Sequence, residues 1–73
     1  MSRMKSKNIK AQVGSRIRGL REEKGWSQEE LGFRSGLHRN YIGGVERGER
    51  NVGVENIGKL AKALGVRPRD LLP

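Results

Sequence analysis

Arg39, Asn40 and Tyr41 place a guanidinium, a carboxamide and a phenol on three consecutive positions, opening the stretch HRNYIGGVERGER. These groups suit recognition by hydrogen bonds rather than catalysis. The chain has no P-loop, no Cys–His or Ser–His–Asp set and no metal-ligand cluster, so an enzyme has no support in it. The same stretch reads as helical, with Ile42 and Val45 three apart, yet it carries adjacent glycines at Gly43 and Gly44. Each glycine costs roughly 1 kcal/mol against alanine in a helix interior. Something other than helix propensity must hold this segment.

The 73 residues allow at most one small domain, and there is no cysteine to staple it. A chain of this size buries only about 60% of its unfolded surface, so it depends on one compact apolar core, helped where needed by a partner subunit. Sixteen Lys+Arg against eight Asp+Glu give a net charge of +8, which makes a polyanion the natural partner. Three aromatic residues are too few for an RNA-stacking platform. With one histidine and no cysteine, structural zinc is not expected, nor is any cofactor or small-molecule ligand. No apolar run approaches the ~20 residues that span a bilayer, and the basic start MSRMKSKN is not followed by an apolar stretch. A soluble, intracellular protein is expected, with no membrane partner.

Residues 1–8 read as a flexible basic tail and residues 9–73 as one domain. Asn8 can cap a helix that carries Ile9, Val13, Ile17 and Leu20 on one face and stops at Gly25. Ser27-Gln28-Glu29-Glu30 has the form of a capping box, in which the Ser27 hydroxyl takes the Glu30 amide and the Glu30 carboxylate reaches back. The short helix it starts ends near Gly36, and Leu37 and His38 turn into the glycine-bearing helix. After Gly48, Asn51 and Gly53 comes a helix over about residues 54–64, with Ile57, Leu60, Ala61 and Leu64 at i, i+3, i+4 and i+7. Pro68 then opens a last short helix, with Asp70 near its positive end. The expectation is all-α: five short helices and no strand.

A capped helix, a glycine-containing turn and a second short helix describe a helix-turn-helix, here over about residues 27–47. SQEELGFRSGLHRNYIGGVERGER resembles the Cro/repressor-type (Xre-like) helix-turn-helix family, with its lambda-repressor-like five-helix DNA-binding domain, and the likeness runs over about residues 13–72. Within it the chain looks most like the small controller proteins of restriction–modification systems, which share the elements that stand here as Arg39, Tyr41, Ile42, Glu46, Arg47, Arg50 and Asn51. The resemblance implies a transcriptional regulator that binds double-stranded DNA at a palindromic operator as a homodimer, cytoplasmic, and bacterial or phage in origin.

It also implies a role for each candidate. The helix from Arg39 to Glu46 lies in the major groove. Arg39 reads guanine or holds a phosphate, and Asn40 reads adenine or bridges to a phosphate. Tyr41 covers thymine methyls and a phosphate, or packs on the core. Gly43 and Gly44 let the backbone approach DNA, or permit close helix–helix packing. Gln28, Arg34, Arg47, Arg50 and Asn51 are phosphate candidates. Arg21 and Glu46 form a structural pair beneath the reading helix. Leu71 and Leu72, with the end of the fourth helix, offer spare apolar surface for self-association. A different class of function uses the same fold as an antitoxin-like or bridging module that holds another protein. A large apolar surface beyond the core would favour that reading.

Overall fold

A computed structural model describes residues 9–73; the basic tail and the Asn8 cap lie outside the described residues. Helix α1 spans Ile9–Glu23, α2 spans Gln28–Ser35, α3 spans Arg39–Glu46 and α4 spans Val54–Leu64. The fifth element differs from expectation. Pro68–Leu71 is a single 3-10 turn, closed by i→i+3 bonds from the Asp70 amide to the Arg67 carbonyl and from the Leu72 amide to the Arg69 carbonyl. The Asp70 carboxylate accepts from the Arg67 amide at 2.9 Å and tightens this short piece, and that bond holds its pKa below the usual carboxylate range. Among the described residues there is no strand.

The caps follow local chemistry. The Ser27 hydroxyl accepts the Glu30 amide at 3.0 Å and starts α2. The return arm of the expected capping box is not made, because the Glu30 carboxylate accepts from Arg34 Nε at 2.7 Å instead. Gly36 ends α2 in the left-handed region at φ 78°, donating to the Gly32 carbonyl. His38 then caps α3, its Nδ1 accepting the Asn40 amide at 3.0 Å.

The core contains Val13 and Ile17 of α1, Leu31 of α2, Ile42 and Val45 of α3, and the i, i+3, i+4, i+7 stripe of α4. Leu20, Trp26 and Leu37 pack at its edge. Two expectations fail here. Ile9, expected on the core face of α1, is 47% exposed. Leu71, expected to be free for self-association, is fully buried, because the 3-10 turn drives it into the core while Leu72 stays about half exposed. Arg16 of α1 ties this turn down, its Nε donating to the Asp70 carbonyl at 2.9 Å.

Two glycines set how closely the helices approach. A Cβ on Gly14 would collide with the Val45 carbonyl at the crossing of α1 and α3. A Cβ on Gly32 would stand 2.6 Å from the Leu37 carbonyl in the turn between α2 and α3. Nothing lies within 4 Å of the corresponding position on Gly19, on the same helix as Gly14. Gly14→Ala is therefore expected to destabilise the domain by about 1–3 kcal/mol or more through overpacking. Gly19→Ala should raise stability by roughly 0.5–1 kcal/mol through helix propensity. Thermal melts of the two variants that move in the same direction would contradict this account of the crossing.

Candidate nucleic-acid interface

Glu46, the last residue of α3, is where the site is anchored. Its side chain is 2% exposed. Arg21 Nε donates to its Oε2 at 2.7 Å and Arg21 Nη2 to its Oε1 at 2.9 Å, a bidentate pair. The guanidinium also donates from Nη1 to the Trp26 carbonyl at 2.7 Å, and the Glu46 hydrogen bond raises the Arg21 pKa above its ordinary value. One side chain of α1 thus holds the residue just before the α2 cap and the end of α3. No buried side-chain nitrogen or oxygen among the described residues lacks a partner.

Gln28 joins the same carboxylate, its Nε2 donating to Glu46 Oε1 at 2.9 Å. This corrects the expectation of a side-chain amide aimed at a phosphate: Glu46 keeps acceptor capacity after pairing with Arg21, and Gln28 fills it. Its backbone amide remains at the N-terminus of α2.

Arg39 and Asn40 are exposed, with Arg39 Nη1 3.6 Å from Glu29 Oε1. By helical spacing, Gly43 follows Arg39 and Gly44 follows Asn40 on the same side of α3. Both glycines are buried, and what covers them is side chain. A Cβ on Gly43 would stand 3.1 Å from Arg47 Nη1 and 3.3 Å from Gln28 Oε1. On Gly44 it would stand 3.0 Å from Arg50 Cδ. Close helix–helix packing, one of the two roles open for this pair, falls instead to Gly14 and Gly32. Arg47 is exposed and pairs with Glu49 at 3.0 Å, which raises the arginine's pKa and lowers the glutamate's. Arg50 and Asn51 are exposed in the segment that follows.

Two candidates sit apart from this group. Tyr41 is half-buried against the core, and its hydroxyl accepts from Asn56 Nδ2 of α4 at 3.1 Å. The Arg50 guanidinium carbon lies 5.9 Å from its ring centroid. Arg34, expected at a phosphate, pairs with Glu30 and stacks 4.2 Å from the Trp26 ring, because its position on α2 points away from α3. It lines an open cleft with Lys59 and Lys62. Phe33 is 84% exposed.

A helix-turn-helix family model matches residues 17–71. The chain belongs to this family. It is 52% identical over 66 residues to the control protein C.BamHI of Bacillus amyloliquefaciens, covering 89% of this chain and 82% of that protein. It is 46% identical over 65 residues to the control protein C.SmaI of Serratia marcescens, covering 89% and 77%. The crystal structure of the restriction–modification controller C.AhdI from Aeromonas hydrophila superposes with a TM-score of 0.84 at 57% identity, covering 86% of this chain and 96% of that one. Family membership and these neighbours fit the Xre-like, controller-like pattern of residues 39–51.

Sequence reasoning missed two contributors. Asn56 holds the Tyr41 hydroxyl, and nothing marks it except its place early in α4. Arg16 reads as a surface cation, and only the fold brings the Asp70 carbonyl to it. The buried pair generates a direct test. Glu46→Ala leaves the desolvated Arg21 guanidinium with only the Trp26 carbonyl and, at 4.0 Å, Glu22, so it should cost about 3–5 kcal/mol, whereas Glu49→Ala, on the exposed pair, should hardly move the melting curve. Melts that look alike would refute the distinction.

Proposed function

We propose that this chain is a sequence-specific transcriptional regulator of double-stranded DNA, reading a palindromic operator as a homodimer, and that it is the controller of a restriction–modification system. The observation that carries this reading is the outer side of α3 and the segment after it. Arg39, Asn40, Arg47 and Arg50 are all exposed there, on a helix whose inner side is anchored by Glu46. A net charge of +8 supplies the long-range attraction to phosphate. The likeness to solved structures named as restriction–modification controller proteins supports the biological role. The reading places the protein in the cytoplasm, at the nucleoid, and gives it no catalytic step.

In this proposal α3 enters the major groove, Arg39 reads guanine and Asn40 lies beside it. Arg47, Arg50 and Asn51 hold phosphates, and Gln28 offers its backbone amide to another at the N-terminus of α2. Tyr41, held by Asn56, supports Arg50 rather than reading bases. Arg39→Ala should weaken operator binding by about 1–3 kcal/mol and relax preference at one base pair per half-site. Arg50→Ala should weaken binding to every sequence and flatten the salt slope by about 1. Binding-site selection on both variants checks this; an Arg39→Ala protein that keeps its full base preference removes Arg39 from the reading role.

A single module contacts few bases, and a two-fold pair with half-site centres about 34–36 Å apart would supply the missing specificity. With Leu71 in the core, one surface open to that contact is a groove of about 120 Å³ where Ile9, Val13, Val52, Ile57 and Leu72 meet Lys10, Arg50 and Asn51. It lies at the start of α4 rather than its end. Leu72→Glu should leave the melting curve nearly intact but abolish cooperative filling of two half-sites, whereas Leu71→Ala should cost about 2–5 kcal/mol of stability. Sedimentation and gel-shift titration decide it, and a Leu72→Glu protein that still binds cooperatively would place the interface elsewhere.

A further inference from the structure

We propose that the adjacent glycines of α3 are positioning residues for the arginines that follow the helix: Gly44 seats Arg50, and Gly43 seats Arg47 beside Gln28. The glycines of this chain separate by what lies over them. Gly14 and Gly32 face neighbouring backbone, and Gly19 and Gly58 face open space. Gly43 and Gly44 alone are helical glycines covered by charged or polar side chains reaching back from other segments. A Cβ on Gly44 would meet three successive Arg50 atoms, Cδ at 3.0 Å, Nε at 3.1 Å and Cγ at 3.2 Å. The Arg50 side chain therefore lies flat along the helix instead of standing off it. The Tyr41 ring, fixed by Asn56, borders the Arg50 guanidinium, and Glu49 holds Arg47.

Arginine carries many rotamers, and freezing them at an interface subtracts from affinity. A bare helix surface that accepts the aliphatic stem and aims the guanidinium lowers that loss before DNA arrives. A methyl group at Gly44 would lift the stem by a few tenths of an ångström or more and release the guanidinium to solvent. Because the atoms overhead belong to an exposed side chain and not to backbone, the helix itself tolerates the change. The inference rests on the reading that Arg50 contacts DNA phosphates, and it assigns to Gly44 a part in that contact which involves no touch of its own on the DNA.

The test uses the full chain and a mixed-sequence DNA duplex titrated at several salt concentrations, so no operator need be known. Gly44→Ala should bind several-fold more weakly and flatten the salt slope by up to about 1, without a fall in melting temperature. Gly58→Ala, a helical glycine with open space above it, should match the parent protein in binding. In an Arg50→Ala background, Gly44→Ala should cause no further loss. If Arg50→Ala itself binds like the parent, the phosphate reading of Arg50 fails and this inference with it. If Arg50→Ala weakens binding but Gly44→Ala does not, the seat alone is overturned. A Gly44→Ala loss that persists in the Arg50→Ala background, or a fall in its melting temperature that Arg50→Ala does not relieve, also overturns it.

Discussion

The bidentate pair between Arg21 and Glu46 is the constraint on which the arrangement of helices depends. It joins the end of α1, the residue before the α2 cap, and the end of α3, with Gln28 adding the start of α2. Helix α3 has only eight residues, too few to persist in water without tertiary contacts. Ile42 and Val45 bury its inner side, but apolar contacts are non-directional and leave a short helix free to rotate or slide. A planar guanidinium meeting a carboxylate at two points removes that freedom. Desolvating both charges offsets much of their attraction, so the pair gives the molecule orientation more than stability.

That anchoring allows the glycines. A helix relying on its own propensity could not carry Gly43 and Gly44 together, whereas one held at Glu46 and through two core residues can. The same residue type then serves opposite ends in one small chain. Where backbone lies overhead, as at Gly14 and Gly32, the missing side chain lets elements meet. At Gly43 and Gly44 it leaves a floor for side chains that come from the loop beyond.

Features set by neighbours in sequence were legible before the structure. The α4 stripe of Ile57, Leu60, Ala61 and Leu64, the Ser27 cap and the stop at Gly36 all follow from local spacing or local backbone preference. The joining of Arg21 to Glu46 comes from family likeness, since periodicity along α1 names no partner on another helix. Features decided by competition between partners were not legible. Glu30 had both its own helix start and Arg34 within reach, and Arg34 took it. Leu71 and Leu72 are chemically equivalent, and only the tight pitch of a 3-10 turn separates core from surface. Gln28 reads as a surface amide until the fold brings Glu46 to it.

The ion pairs of the structure divide by burial in a way that fits a surface built to exchange partners. Arg39 with Glu29 and Arg47 with Glu49 are exposed at both ends, and pairs of this kind add little to stability because solvent screens them. A phosphate of DNA, arriving with its counterion atmosphere, can displace such a carboxylate at little loss and regain entropy from the released ions. Until then the acids hold the guanidiniums near α3 and offset their charge locally. Arg21 is the same residue type with the same class of partner, yet its carboxylate is almost fully buried and makes three hydrogen bonds to side chains. No approaching phosphate can replace it without opening the core. Burial alone therefore separates the arginine that holds the helix in place from those free to meet a nucleic acid.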